Sequence, residues 1–326
     1  MGKIVIAVCF AGVAFGQNVD RVFRLMNATA VTSLQEIATT LRTIGQIQQL
    51  SLDNAHATLT VKGTADQISL AEWLVPKLDV TAVSNPGPQE YRVSRDSDDV
   101  VVVYELVHAA TIQSVQEIAI TLRTVAEIQK IFAINTPIVT LRGSASQMAL
   151  AKFLLAELDQ PAQARQNAFV HEFRKTAGGD DIVVVYGLAH TDSAQSLQEI
   201  TTNIRAVLDI QRIFLVTTPK LLAIRGSESQ VQTLKWLVPG LDRQTAKVGG
   251  NEMRVPGGND DVVHVFYLTH VTNVKGMGEL LTELRTTTHI MKAFVRSVPA
   301  ALVLRGTADQ IATAGQIIQL RDRAAP

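Results

Sequence analysis

The chain lacks most of what chemistry usually requires. Its 326 residues contain one cysteine, Cys9, so no disulfide closes within the chain and no CxxC site exists. Aromatic residues make up 5% of it, too few for the stacking platforms that grip single-stranded nucleic acid. Charged residues make up 18%, and 30 basic side chains balance 30 acidic ones, so no overall field draws a nucleic acid or an anionic membrane. No GxxxxGK[ST], GxSxG or HExxH motif occurs, and no GxGxxG stands in a strand–turn–helix setting. No nucleophile has an identifiable base beside it. These absences set the expectation of a non-enzymatic protein with no cofactor, no metal and no nucleic-acid partner.

What the chain does have is apolar substance and repetition. Hydrophobic residues reach 47%, ample for packed cores and incompatible with general disorder. Lys3 precedes the apolar run Ile4 to Phe15, with Ala14 and Gly16 at the small-residue positions of a cleavage site. Residues 1–16 therefore read as a secretory signal peptide, and the run is about half the length a membrane-spanning helix needs. The expectation is an exported chain, periplasmic or associated with the outer membrane, without a membrane span after processing.

A basic residue, a glycine and a hydroxyl recur four times: Lys62-Gly63-Thr64, Arg142-Gly143-Ser144, Arg225-Gly226-Ser227 and Arg305-Gly306-Thr307. The glycines lie 80, 83 and 80 residues apart, a period that signals tandem modules. In the second copy, the β-branched run Val100 to Leu106 predicts a strand buried on both faces. Val115, Ile118, Leu122 and Val125 form a helical stripe, and Ser114 with Glu117 forms a capping box at its start. Ile128 to Ile134 and Ile138 to Arg142 predict two further strands, and Gly143 a sharp turn. Ser144 to Gln147 makes a second capping box, and the helix behind it stops near Asp159-Gln160-Pro161. The order is β-α-β-β-α. The other copies repeat it, with first-helix boxes at Ser33/Glu36 and Ser196/Glu199 and a weaker Gly276/Glu279 start. Second-helix boxes stand at Thr64/Gln67, Ser227/Gln230 and Thr307/Gln310. Arg42, Arg123, Arg205 and Arg285 close the first helices, where a cation suits the helix dipole. Polar joints at 81–89, 160–167 and 243–258 each end in an alternating segment, which predicts an added hairpin strand in modules two to four. The fold class is α+β: four tandem βαββα modules, each with two helices on one face of a small three-stranded or hairpin-extended sheet. They span 17–80, 90–160, 168–243 and 251–323.

These residues resemble a known family. The pieces Val22-Phe23-Arg24-Leu25-Met26-Asn27-Ala28, Ser33-Leu34-Gln35-Glu36 and Leu59-Thr60-Val61-Lys62-Gly63-Thr64-Ala65-Asp66-Gln67, with a helix ending at Leu78-Asp79, are similar to the periplasmic N-domains of bacterial secretins. The resemblance covers nearly all of residues 21–322. It implies ring-building modules that pack in homo-oligomers and serve type II or type III secretion or type IV pili. The outer-membrane barrel segment of secretins has no counterpart here, so the resemblance implies a stand-alone array of N-domains. Its partners would be itself, or envelope proteins of a secretion or pilus complex.

The remaining candidates for a site are few. His108, His190 and His270 recur just after the first strand, with Asn27 in module one, and read as turn residues. His264 and His270 could share a strand face, but two imidazoles alone make no zinc site. Asp98-Asp99, Asp180-Asp181 and Asp260-Asp261 precede each buried strand, where turn solvation and edge protection explain them better than calcium does. Gly63, Gly143, Gly226 and Gly306 read as structural turn residues. Lys62, Arg142, Arg225 and Arg305 are the candidate interface residues, placed to meet an acidic group on a neighbouring module or protomer.

Overall fold

The computed structural model describes residues 19–81, 87–94, 97–109, 111–134, 136–161, 168–175, 179–246 and 251–324. The expected signal peptide at 1–16, with Cys9, lies outside them. Module 1 comprises β1 (Val19–Arg24), α1 (Val31–Thr43), β2 (Gln49–Asp53), β3 (Thr58–Gly63) and α2 (Ala65–Leu78). Module 2 comprises β4 (Gly87–Arg92), β5 (Asp99–Glu105), α3 (Ile112–Val125), β6 (Lys130–Ala133), β7 (Ile138–Ser144) and α4 (Ala145–Leu158). Module 3 comprises β8 (Phe169–Arg174), β9 (Ile182–Gly187), α5 (Ala194–Leu208), β10 (Arg212–Val216), β11 (Leu221–Gly226) and α6 (Glu228–Leu241). Module 4 comprises β12 (Asn251–Arg254), β13 (Asp261–Tyr267), α7 (Val274–Thr288), β14 (Lys292–Arg296), β15 (Ala301–Thr307) and α8 (Ala308–Arg321).

The α+β modules and the added strands follow the sequence reading. All strand pairs are antiparallel; the orders are β1-β3-β2, β4-β5-β7-β6, β8-β9-β11-β10 and β12-β13-β15-β14. β4 begins at Gly87, ahead of the expected boundary at 90.

The second helices start where expected: Thr64, Ser144, Ser227 and Thr307 each cap, with the glutamine at N3 closing the box. The first helices start one turn earlier than expected. Thr111, Ser193 and Asn273 are their caps, and α1 follows Ala30 with no side-chain cap. Ser114, Ser196 and Gly276 sit at N3, so Glu117 and Glu199 are free to point out of their own modules.

Alternation along the strands separates two sheet faces. One packs on the module's own helices. The other, in modules 2 to 4, is also apolar and lies against the helices of the preceding module. Val101, Val103, Ile134 and Ile138 of module 2 belong to the core of module 1. Val183, Val185, Val216, Leu221 and Ala223 of module 3 belong to the core of module 2. Val263, Val265, Ala301 and Val303 of module 4 belong to the core of module 3. Sheets and helix pairs thus alternate as layers of one stack.

Aromatic side chains fill these joints. Trp73 of α2 meets Tyr91 of β4 at 5.3 Å between ring centroids, and Phe153 of α4 meets Phe173 of β8 at 5.5 Å. Trp236 of α6 packs in the core that module 4's Phe294 and Val255 also enter.

Both ends of the stack change composition. The outer face of module 1 carries Asp20, Val22, Arg24, Gln49, Ser51, Asp53, Thr58, Thr60 and Lys62, at the positions that are largely Val, Ile, Leu, Ala and Phe further along. On module 4, exposed Gln316 stands where the earlier modules have Trp73, Phe153 and Trp236. The outer faces of modules 1 and 4 are thus more polar than the faces closed inside the joints. Trp73→Gln should therefore cost about 2–4 kcal/mol of unfolding free energy by removing an aromatic from a closed joint. Gln316→Ala should stay within about 0.5 kcal/mol of the parent; denaturant titration of both variants checks the pair.

Candidate functional site

The recurrent basic residues sit at the joints between modules. Arg142 donates from Nε and Nη2 to Asp99 Oδ2 at 2.9 and 2.6 Å, within its own module. Its Nη1 reaches back to the Ile44 carbonyl, at the end of α1, at 2.7 Å. Arg225 repeats this with Asp181 at 2.7 and 2.6 Å and the Val125 carbonyl at 3.1 Å, and adds Glu127 at 3.1 Å. Arg305 repeats it with Asp261 at 3.0 and 2.5 Å, the Val207 carbonyl at 2.6 Å and Asp209 at 3.4 Å. Each arginine is oriented by its own aspartate and donates a hydrogen bond to a helix-end carbonyl that its helix leaves unpaired. Lys62 has no preceding module among the described residues. It lies 3.7 Å from Asp20 and is half exposed.

The second aspartate of each acidic pair therefore has a task other than solvating a turn. Asp99, Asp181 and Asp261 lock the arginines, and Asp180 accepts the Glu228 amide at 2.6 Å. The Arg225 hydrogen bonds hold the Asp181 carboxyl below the usual carboxylate range, against the opposing effect of burial.

The glycines are not turn residues either. None of Gly63, Gly143, Gly226 and Gly306 adopts positive φ; each ends or nearly ends a strand. A Cβ there would meet the capping glutamine's Oε1 at 2.6, 2.6, 2.9 and 2.8 Å, so any larger residue would push that glutamine out of its place. That glutamine accepts from the cap amide and donates across to the end of the first helix. Gln67 reaches Gln46 O, Gln147 reaches Glu127 O, Gln230 reaches Leu208 O and Gln310 reaches Thr288 O, at 2.8–3.1 Å. The helix ends at a left-handed residue in every module, namely Gln46, Glu127, Asp209 and His289, with φ of 55–56°. One carbonyl of each end goes to the module's own glutamine. In the first three modules another goes to the next module's arginine.

At the second and third joints a glutamate adds contacts from the other side. Glu117 accepts from the amide and hydroxyl of Thr217 at 2.9 and 2.8 Å, and Glu199 does the same for Ser297 at 2.9 and 2.7 Å. The last joint alone buries Arg296, 1% exposed, which donates to the carbonyls of Ser196 and Leu241 and to Thr191 Oγ1. Burial pushes its pKa down while Glu199 and Asp242 oppose that shift. Its counterparts Val216, Ile134 and Asp53 give no hint of this role.

The residues after the first strand prove to be a carboxylate cradle. Asp159 accepts the amides of Val107, His108 and Ala109 at 2.7, 2.7 and 3.0 Å. Asp79 takes Met26, Asn27 and Ala28, and Asp322 takes Thr269, His270 and Val271, all at 2.7–2.8 Å. Asp242 takes Ala189, His190 and the Thr191 hydroxyl at 2.7–2.9 Å. His108, His190 and His270 thus share a turn whose amides serve a carboxylate. His264 is not with His270; it stacks on Phe266 at 3.8 Å and meets Glu252 at 3.2 Å. Among the described residues no group of three or more His, Cys, Asp or Glu is placed to hold a metal ion. No helix there is long and apolar enough to cross a membrane.

No protein family matches the chain, and no curated protein does. Among solved structures, a protein of unknown function from Aeropyrum pernix is similar over 46% of this chain and 85% of its own, at 12% identity and a TM-score of 0.26. ExeD of Aeromonas hydrophila is similar over 89% of this chain, at 15% identity and a TM-score of 0.18. GspD, the type II secretion system secretin of E. coli K12, is similar over 70% of it, at 15% identity and 0.17. The chain spans 59% of ExeD and 40% of GspD.

Arg225→Met should cost about 2 kcal/mol near neutral pH, since it removes charged hydrogen bonds from a half-buried joint. Asp181 has a depressed folded pKa, so its stabilisation is complete above the unfolded value of 3.8 and is lost as pH falls through the lower folded one. The penalty of Arg225→Met should therefore shrink on acidification below pH 3.8. Urea titrations of both proteins at neutral pH and at successive acid pH values check the sign.

Proposed function

We propose that this chain is an exported scaffold that works by protein–protein contact, in or beside a secretion or pilus complex of the cell envelope. One observation carries the scaffold reading: the same joint, built from an arginine, its aspartate and the preceding helix end, recurs between every successive pair of modules. Three copies of one directional contact hold four modules in a defined order, which is what a spacer or assembly platform requires. Loosely tethered binding domains have no need of it. The envelope setting rests on the apolar leader and on the secretin-like motifs. On this reading the protein acts without catalysis, and its joints use their polar groups on one another.

A second reading is a soluble periplasmic array that recognises a peptide or envelope polymer along exposed sheet edges. The polar edge strands of module 1 favour it locally, because no further strand pairs with them among the described residues.

Fractionation of cells expressing the tagged chain, followed by in-cell cross-linking, tests the first reading. The expected result is recovery in the envelope with cross-links to a secretion or pilus component. Recovery in the cytoplasm, or cross-links confined to unrelated soluble proteins, would sink it. A rise in melting temperature on adding a peptide or envelope polymer, without such cross-links, would support the second.

A further inference from the structure

The first strand of the array is the exception in its sheet. In modules 2 to 4 the strand before the first helix is covered on its outer edge by β4, β8 or β12. Among the described residues β1 has only β3 beside it. Its open backbone groups can be assigned. The Leu25 amide bonds Ala57 O, on the β3 side. Backbone groups alternate sides along an antiparallel strand, so those of Asp20, Val22 and Arg24 face the open edge. In module 2 the matching residues Val101, Val103 and Glu105 pair with Tyr91, Gln89 and Gly87 of β4.

The same three residues carry their side chains on the outer sheet face, away from the helices. The order is acid, apolar, base, and it is self-complementary when reversed. An antiparallel partner with the same sequence, centred on Val22, sets Asp20 opposite Arg24 twice and Val22 opposite Val22. It also joins backbone groups that have no partner strand among the described residues. Directly opposed charges of opposite sign and paired β-branched residues are the favourable cross-strand contacts. Val22 is 61% exposed and Asp20 63%, so both are available. On the inner face Arg21 is already held by Glu72 at 2.8 Å. Glu72 occupies the position at which Lys152 and Lys235 bind Glu90 and Glu172 of the covering strands. A covering strand built like β4 or β8 would therefore place its glutamate against Glu72. A second copy of β1 places Phe23 there instead, since Phe23 falls opposite Arg21.

We propose that the β1 edge is the self-association site of this protein, joining two copies by a two-fold axis at Val22 into one continuous six-stranded sheet. The contact is isologous and closes at two, so it makes dimers and not filaments. It stands whether or not the chain serves an envelope complex.

Sedimentation equilibrium of the full chain tests it, with charge reversals at the exposed edge. The parent should approach twice its 35.4 kDa mass as concentration rises. Asp20→Arg alone and Arg24→Asp alone should each weaken association at least about tenfold, because like charges then face each other twice. The double variant Asp20→Arg/Arg24→Asp should restore it. In a Cys9→Ser background, Val22→Cys should oxidise to a symmetric dimer, since hydrogen-bonded antiparallel pairs lie within disulfide reach. A parent that stays at single-chain mass up to about 1 mM would overturn the proposal. So would single reversals that leave association unchanged, or a double variant that fails to recover it. Both reversed side chains are solvated in the single chain, so circular dichroism should match the parent.

Discussion

A sheet that is apolar on both faces cannot stand alone in water, and three of the four sheets among the described residues are of that kind. Everything else follows from covering the second face. Burial of apolar surface is non-directional and would accept many arrangements. Direction comes from the few polar groups set into the same contact. The arginine at the end of the central strand must find the carbonyl at the end of the preceding helix, and the glutamate of that helix must find the next module's amide. Satisfying these groups selects one register of sheet on helix, because a buried unpaired donor is costly.

The K/R-G-T/S-x-x-Q sequence can now be read position by position. The basic residue serves the joint with the preceding module, except in module 1, where it is a lysine and no joint precedes it among the described residues. The glycine clears space for the glutamine. The hydroxyl caps the second helix. The glutamine ties that helix to the end of the first. Four residues thus link the two helices of one module and the sheet of one module to the helices of another.

Much of this was legible in the chain itself. The βαββα order, the added strands and the second-helix caps follow from periodicity and local hydrogen-bonding chemistry, which act within a few residues. The first-helix caps were misplaced because Ser114/Glu117 and Ser196/Glu199 have the spacing of a capping box. Their glutamates instead have partners 100 and 98 residues away. The role of Asp159 and its counterparts was missed for the same reason: its three amides lie about 50 residues upstream, and nothing local marks them. Long-range polar pairs leave no period in a sequence. Comparing equivalent positions across the four copies can still expose them, because Asp recurs at 79, 159, 242 and 322.

The central claim is that the joints make four modules one folding unit. The chain has two tryptophans, Trp73 at the first joint and Trp236 at the last. Urea unfolding of Trp73→Phe and Trp236→Phe, each followed by the fluorescence of the remaining tryptophan and by circular dichroism, reports on the two joints separately. If the joints couple the stack, the fluorescence and circular dichroism transitions coincide within each variant. If the tryptophan signal in either variant is lost in a step of its own, well separated from the loss of secondary structure, the modules unfold independently and the account is contradicted.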